Sequence, residues 1–281
     1  MKIIKARSCG FCTGVDIAYK KAVETAQNGQ KAYILGYLVH NSDVIKKLEE
    51  MGVCSIKDLG EIPVGVGRDR PLLIISAHGV GPKIYDDANK MGLQIIDTTC
   101  TWVKKAQGIA KKLFEDGYQV VIVGDKEHTE VKGIKGWTDD TAIVVDNPND
   151  AKSVPNQAKI GIVAQTTQSL ENFEKTVDEL RKKTNKIVVK NTICSSTESR
   201  QKEAIELAKK ADLMIVIGDI KSANTKRLKE LCREQGVETH MIHSAEEIEP
   251  QWLYGKENIG ITAGASTPEW VIKEIVDRLE G

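Results

Sequence analysis

Cys12, Cys100 and Cys194 stand 88 and 94 residues apart in a chain of 281 residues. Each follows an apolar run and precedes a helical pattern, in KIIKARSCGFC, QIIDTTC and KIVVKNTIC. Thiolates are soft ligands, and three converging without a fourth would hold zinc or an iron–sulfur cluster with one open position. A [4Fe–4S] cluster so held would leave one iron free to bind substrate as a Lewis acid and to pass electrons. A zinc ion on three thiolates would instead activate water. The plain alternative, three unrelated buried cysteines, leaves the spacing unexplained. Counting 24 residues from each cysteine reaches Gly36, Gly124 and Gly218, each closing the next apolar strand. Four residues further lie His40, His128 and Ser222, in YLVHNS, DKEHTE and DIKSAN. The chain therefore reads as a threefold repeat.

Each third ends on an apolar strand that runs into small polar residues: SAHG at 76–79, AQTT at 164–167 and TAGAST at 262–267. Ligands of parallel α/β units bind beyond the carboxyl ends of strands. Three such units should bring three cysteines and three polar loops around one centre. His40, His78 and His128 with Ser222, Asn224, Thr166, Thr167 and Ser266 form a donor set suited to a phosphate or diphosphate. Glu130, two residues after His128, is the odd carboxylate: a solvated charge, or a proton donor. His240 and His243 bracket an expected strand. Cys9 and Cys12 form C-G-F-C between a strand and a helix, the setting of a dithiol whose thiol pKa a helix N-terminus lowers. Cys54 and Cys232 are expected to pack in the core. GDKEH and GDIKS match neither a Walker loop nor GxGxxG.

The elements that must position these residues are short. KIIKA at 2–6, AYIL at 32–35, LLIIS at 72–76, QVVIV at 119–123, AIVV at 142–145, KIGIV at 159–163, KIVV at 186–189, LMIVI at 213–217 and NIGIT at 258–262 read as strands. They alternate with amphipathic helical stretches, three of which start near Val15, Trp102 and Thr197. Such alternation predicts an α/β fold with mostly parallel sheets covered on both faces. Expected domains are 14–99, 100–192 and 193–281, the last completed by 1–13. Lysine plus arginine and aspartate plus glutamate number 40 each, so bulk electrostatics favour neither nucleic acid nor a membrane surface. Lys-rich KKAQGIAKKL reads as a solvated helix face. MKIIKARSCGFC has no leader-like apolar region, and no run approaches the ~20 residues that span a bilayer, which predicts a cytoplasmic protein. In that reducing setting six cysteines are thiols rather than disulfides.

GFCTGVDIA at 10–18, LVHN at 38–41, SAHGV at 76–80 and DTTC at 97–100 resemble the LytB/IspH family. HTEVKG at 128–133, AQTT at 164–167, TIC with SRQ at 192–201, SANTKRL at 222–228 and TAGAS at 262–266 continue the resemblance in order. It covers essentially the whole chain. The resemblance implies three pseudo-symmetric α/β domains around a central iron–sulfur cluster. It implies reduction of 4-hydroxy-3-methylbut-2-enyl diphosphate to isopentenyl and dimethylallyl diphosphate, with Cys12, Cys100 and Cys194 holding a [4Fe–4S] cluster. Glu130 would supply protons, Thr166 would orient the hydroxyl, and His40, His78, His128, Ser222, Asn224 and Ser266 would hold the diphosphate. A ferredoxin or flavodoxin would supply electrons. Ala223 departs from the family's common serine, Thr101 and Thr129 from prolines, and Gln107 from a frequent histidine; Cys9 is an extra thiol. These departures also fit a paralogous iron–sulfur reductase acting on a different substrate.

Overall fold

The computed structural model describes residues 1–63 and 71–281. The strands are β1 (Lys2–Lys5), β2 (Ala32–Leu35), β3 (Val53–Ile56), β4 (Leu72–Ile75), β5 (Gln94–Asp97), β6 (Gln119–Val123), β7 (Ile143–Val145), β8 (Ile160–Ala164), β9 (Ile187–Val189), β10 (Leu213–Ile217), β11 (Glu238–Ile242) and β12 (Asn258–Ala263). The α-helices are α1 (Thr13–Gln27), α2 (Ser42–Glu50), α3 (Pro82–Lys90), α4 (Thr101–Glu115), α5 (Thr129–Gly136), α6 (Pro148–Lys152), α7 (Leu170–Arg181), α8 (Ser195–Ala208), α9 (Ala223–Glu234) and α10 (Glu269–Glu280). Among the described residues the strands make three four-stranded sheets, ordered β3-β2-β4-β5, β7-β6-β8-β9 and β11-β10-β12-β1. All pairings among them are parallel.

The order is the same in each sheet once β1 takes the place that β5 and β9 hold in the others. The N-terminal strand thus completes the C-terminal sheet, pairing Ile3 with Ile259 and Ile4 with Gly260. Inner strands β4, β8 and β10 are buried at every residue, as unbroken Leu, Ile and Val runs covered on both faces must be. Edge strands β5 and β9 are half-exposed.

Two apolar layers flank the second sheet. Val121, Ile162 and Phe173 lie on one side, Val120, Ile122 and Ile134 on the other. Helix α4 covers the latter with Ala106, Ala110 and Leu113, spaced as one helical face. Truncating a side chain such as Ile122 to alanine would cost about 2–5 kcal/mol. The third sheet has the same construction, with Ile215 and Ile261 against one layer and Met214 and Val216 against the other. By contact the chain forms two units: 1–16, 40–44 and 195–281 in one, 17–39 and 45–194 in the other. The third sheet lies in the former, the first and second sheets in the latter.

Several local expectations change. The helices after the cysteines begin at Thr13, Thr101 and Ser195, nearer the cysteines than hydrophobic periodicity indicates, because a threonine or serine opens each of them. His240 lies within β11 and His243 just after it, since the strand begins at Glu238. Cys54 is exposed on β3, whereas Cys232 is buried as expected. Edge position explains Cys54, because β3 has a neighbour on one side only.

Candidate active site at the strand ends

The threefold repeat is visible in the backbone hydrogen bonds. Gly36, Gly124 and Gly218 donate to Ile56, Val145 and Ile242, the last residues of β3, β7 and β11, at 2.7, 2.9 and 2.9 Å. Beyond β4, β8 and β12 the chain makes the same turn three times: Gly79 to Ser76, Gln168 to Gln165 and Thr267 to Gly264, each 3.0 Å. Into each turn a cysteine amide donates. Cys100 N–H bonds Ala77 O at 3.1 Å, Cys194 N–H bonds Thr166 O at 3.0 Å, and Cys12 N–H bonds Ala265 O at 3.2 Å. All three cysteines are outside any disulfide, of intermediate exposure, and stand at the start of a helix.

In the unit that carries Cys100 and Cys194, the polar residues form one connected group. Glycines make this possible: a Cβ on Gly133 would lie 3.1 Å from Gly79 O, and one on Gly136 only 2.9 Å from Gly81 Cα. Helix α5 therefore packs its backbone onto the loop after β4. The His78 and His128 rings meet edge to face, centroids 5.4 Å apart. His128 caps α5, its Nδ1 accepting from Glu130 N–H at 3.2 Å. A neutral His128 then carries its proton on Nε2 and can donate from there.

Glu130 is no solvated charge: it is only 2% exposed. Thr166 donates to its carboxyl from N–H at 2.6 Å and from Oγ1 at 2.7 Å. Burial raises the Glu130 pKa to about 7, against the lowering effect of the Thr166 bonds. A carboxyl that titrates near neutrality can both hold and release a proton at working pH.

The other unit carries Cys12, His40, Ser222, Asn224 and Ser266. Ser266 Oγ donates to His40 O at 3.0 Å. Burial lowers the His40 pKa, with the Asp219 carboxylate acting against it, so the ring is a neutral donor. Asn41, which sequence reasoning passed over as a site residue, caps α2 by accepting from Val44 N–H at 3.0 Å. Ser222 caps α9, accepting from Thr225 N–H at 3.3 Å. Asn224, in the first turn of α9, is 5% exposed, and neither atom of its amide has a hydrogen-bond partner among the described residues. Each buried unmade bond costs about 1–3 kcal/mol, which a bound polar ligand would recover.

Cys9 lacks the lowered thiol pKa expected of a dithiol nucleophile. It packs against the core of the third sheet. Burial outweighs the pull of Arg200 and Lys5, pushing its pKa up to about 11. Thr101 and Thr129 sit at the first position of α4 and α5. Proline is favoured there, but a residue with an N–H is also tolerated because that group has no intrahelical partner. Gln107 is buried and donates weakly to Val80 O at 3.4 Å.

Parallel α/β modules that carry thiols, imidazoles and a near-neutral carboxyl at their strand ends make this an α/β protein with groups suited to proton-coupled chemistry. Comparison with known proteins makes the class specific. The family model for LytB protein matches residues 3–280. The chain is 46% identical over 279 residues to the 4-hydroxy-3-methylbut-2-enyl diphosphate reductase of Pelobacter propionicus, covering 99% of this chain and 98% of the relative. It is 45% identical to the enzyme of that name from Geotalea uraniireducens, with 100% and 97% covered.

Among solved structures, the E-1-hydroxy-2-methyl-but-2-enyl-4-diphosphate reductase of Plasmodium falciparum superposes with a TM-score of 0.93 at 31% identity, covering 99% of this chain and 88% of that one. A second, (E)-4-hydroxy-3-methyl-but-2-enyl diphosphate reductase, described as the terminal enzyme of the non-mevalonate pathway, gives 0.72 at 37% identity, with 100% and 99% covered. The chain belongs to the LytB family. Membership implies an iron–sulfur centre. No helix among the described residues is long and apolar enough to cross a membrane.

Proposed function

We infer that this protein is a reductase that removes the allylic hydroxyl of 4-hydroxy-3-methylbut-2-enyl diphosphate as water, giving isopentenyl and dimethylallyl diphosphate. The observation that carries the reading is the buried Glu130–Thr166 pair, held in a fold whose full-length relatives bear that enzyme name. Nothing in the comparisons favours a paralogue acting on another substrate. The domains are read as 14–99, 100–192 and 193–281, with 1–13 completing the third, and the protein as cytoplasmic.

Cys12, Cys100 and Cys194 would hold a [4Fe–4S] cluster. The donor set fits: three partly exposed thiols outside any disulfide, at equivalent backbone positions and each ahead of a helix. When bound, the cluster supplies electrons and a Lewis-acidic iron for the substrate hydroxyl. Overall, two electrons and two protons enter, the C–O bond breaks, and the oxygen leaves as water. The electrons come from a ferredoxin or flavodoxin.

The chain's own residues do the rest. His40, His78, His128, Ser222, Asn224 and Ser266 bind the diphosphate, His40 as a neutral donor and Asn224 through an amide that has no partner among the described residues. Thr166 keeps the Glu130 carboxyl fixed through two bonds and turns its hydroxyl toward the substrate's. Glu130 holds a proton near pH 7 and delivers it to the departing oxygen. Ala223 forgoes one hydroxyl at the diphosphate end, a loss of about 1.5–3 kcal/mol at most for a bond to a charged group.

The test is anaerobic reconstitution with iron and sulfide, followed by assay with a strong artificial reductant. Formation of both five-carbon diphosphates by the native protein, with iron uptake and turnover lost in C12S, C100S and C194S, is the expected result. A protein that takes up iron yet leaves the substrate intact would refute the assigned substrate.

A further inference from the structure

The loop leading into Cys12 is closed differently from those leading into Cys100 and Cys194. In the latter two, the residue two places before the cysteine is a threonine whose hydroxyl donates to the last carbonyl of the neighbouring strand, Thr98 to Ile75 and Thr192 to Ala164. The equivalent residue before Cys12 is Gly10. Its φ is +93°, and a Cβ there would lie 2.9 Å from Ile272 Cδ1 and 3.3 Å from Thr267 O. A threonine would be strained in that conformation as well as crowded.

The third strand-end carbonyl, that of Ala263, accepts instead from Arg200 Nη1 at 2.8 Å. The same guanidinium donates to Ser8 O, and to Gly10 O at 2.9 Å. One turn further along α8, the Glu203 carboxylate accepts from Ser8 N–H at 2.7 Å and from Ser8 Oγ at 2.9 Å. Arg200 is 3% exposed. A buried cation is kept only where its donors are met, and here three backbone carbonyls converge on it.

We propose that Arg200 and Glu203 are positioning residues for Cys12. From helix α8 they fix the 8–10 segment and so aim the Cys12 thiol, as Thr98 and Thr192 do from within their own loops. The proposal rests on reading Cys12 as a ligand of the iron–sulfur centre. Helix α8 begins one residue after Cys194, so the loop before one ligand is held by the helix that follows another. Removing the clamp should therefore loosen Cys12 selectively. A residue that merely stabilised the fold would loosen all three cysteines together.

The experiment compares the native protein with R200M, R200K, E203Q and T192V. Amide hydrogen exchange is followed at each cysteine in cluster-free protein, and iron release to a chelator in reconstituted protein. In R200M, exchange at the Cys12 amide should quicken about tenfold or more, as loss of a charged hydrogen-bond network predicts. Exchange at Cys100 and Cys194 should stay within about twofold. R200K should recover part of the protection, because an ammonium still supplies donors without the planar fork. E203Q should have a smaller effect at the same amide, and T192V should act at Cys194 alone. Iron release should follow the Cys12 result.

Unchanged Cys12 exchange in R200M, or equal acceleration at all three cysteines, would overturn the proposal. Should R200M not fold, R200K and E203Q decide it by the same criterion. Native protein that takes up no iron would reject the cluster reading instead, while the exchange data would still decide the clamp.

Discussion

Glu130 and Asn224 hold the same place in two repeats of one fold. Each lies 30 residues beyond its cysteine, at the second position of α5 and α9. Both are buried, yet Glu130 has both carboxylate oxygens engaged by Thr166, and Asn224 has no partner at either atom among the described residues. The cause lies across the turn. Thr166 is the second residue beyond β8, and its counterpart beyond β12 is Ala265, which has no hydroxyl to offer. One repeat has thus closed its polar pair, while the other leaves its amide without a partner among the described residues, which is the division of roles proposed above. Repetition supplies the positions, and single side chains divide the labour among them.

The largest effect should come from the closed pair. E130Q keeps the shape and one acceptor but cannot deliver a proton, so kcat should fall about 10²- to 10⁴-fold. A loss under threefold would remove Glu130 from the chemistry. The open position should respond in KM instead. N224A should weaken substrate binding about 10- to 150-fold with a smaller change in kcat, whereas A223S should tighten it by restoring a hydroxyl. A fall in kcat alone for N224A would erase the contrast between the two sites.

Stability offers a third comparison. Glu130 titrates at about 7 in the folded chain, above the 4.5 of a free glutamate, so its protonated form favours folding. That contribution is full below about pH 4.5 and is lost as pH rises through about 7, a change on the order of 3 kcal/mol. Denaturant melts from pH 5 to 8 should show native stability declining relative to E130Q, a difference absent between the native protein and N224A. Smallest of all, T101P and T129P should stabilise the protein by about 0.4–1 kcal/mol, because proline suits the first helical position and restricts the unfolded chain. Thermal melts would register destabilisation if either N–H were in use.

Much of this was legible in the residues. Alternation of short apolar runs with helical patterns fixed the α/β class, and the spacing of Cys12, Cys100 and Cys194 to Gly36, Gly124 and Gly218 marked equivalent positions. The glycine amides and cysteine amides now occupy matching hydrogen bonds. The split of Glu130 from Asn224 was not legible, because it depends on Thr166 and Ala265, which lie 36 and 41 residues further along the chain. Nor was Arg200: a lone arginine in a polar helical stretch reads as a surface charge until three distant carbonyls converge on it. Cys54 misled for the opposite reason, since its apolar neighbours gave no sign that β3 is a sheet edge.

The pH dependence of kcat in the native protein and in T166V bears most directly on the central claim, that Glu130 is a proton donor tuned by burial and by Thr166. In the native protein kcat should fall as pH rises through about 7 while KM changes little. Loss of the Thr166 hydroxyl removes a bond that favours the carboxylate, so the limb should move to higher pH in T166V. A kcat indifferent to pH from 6 to 8.5 in both proteins, with the chemical step rate-limiting, would contradict the assignment.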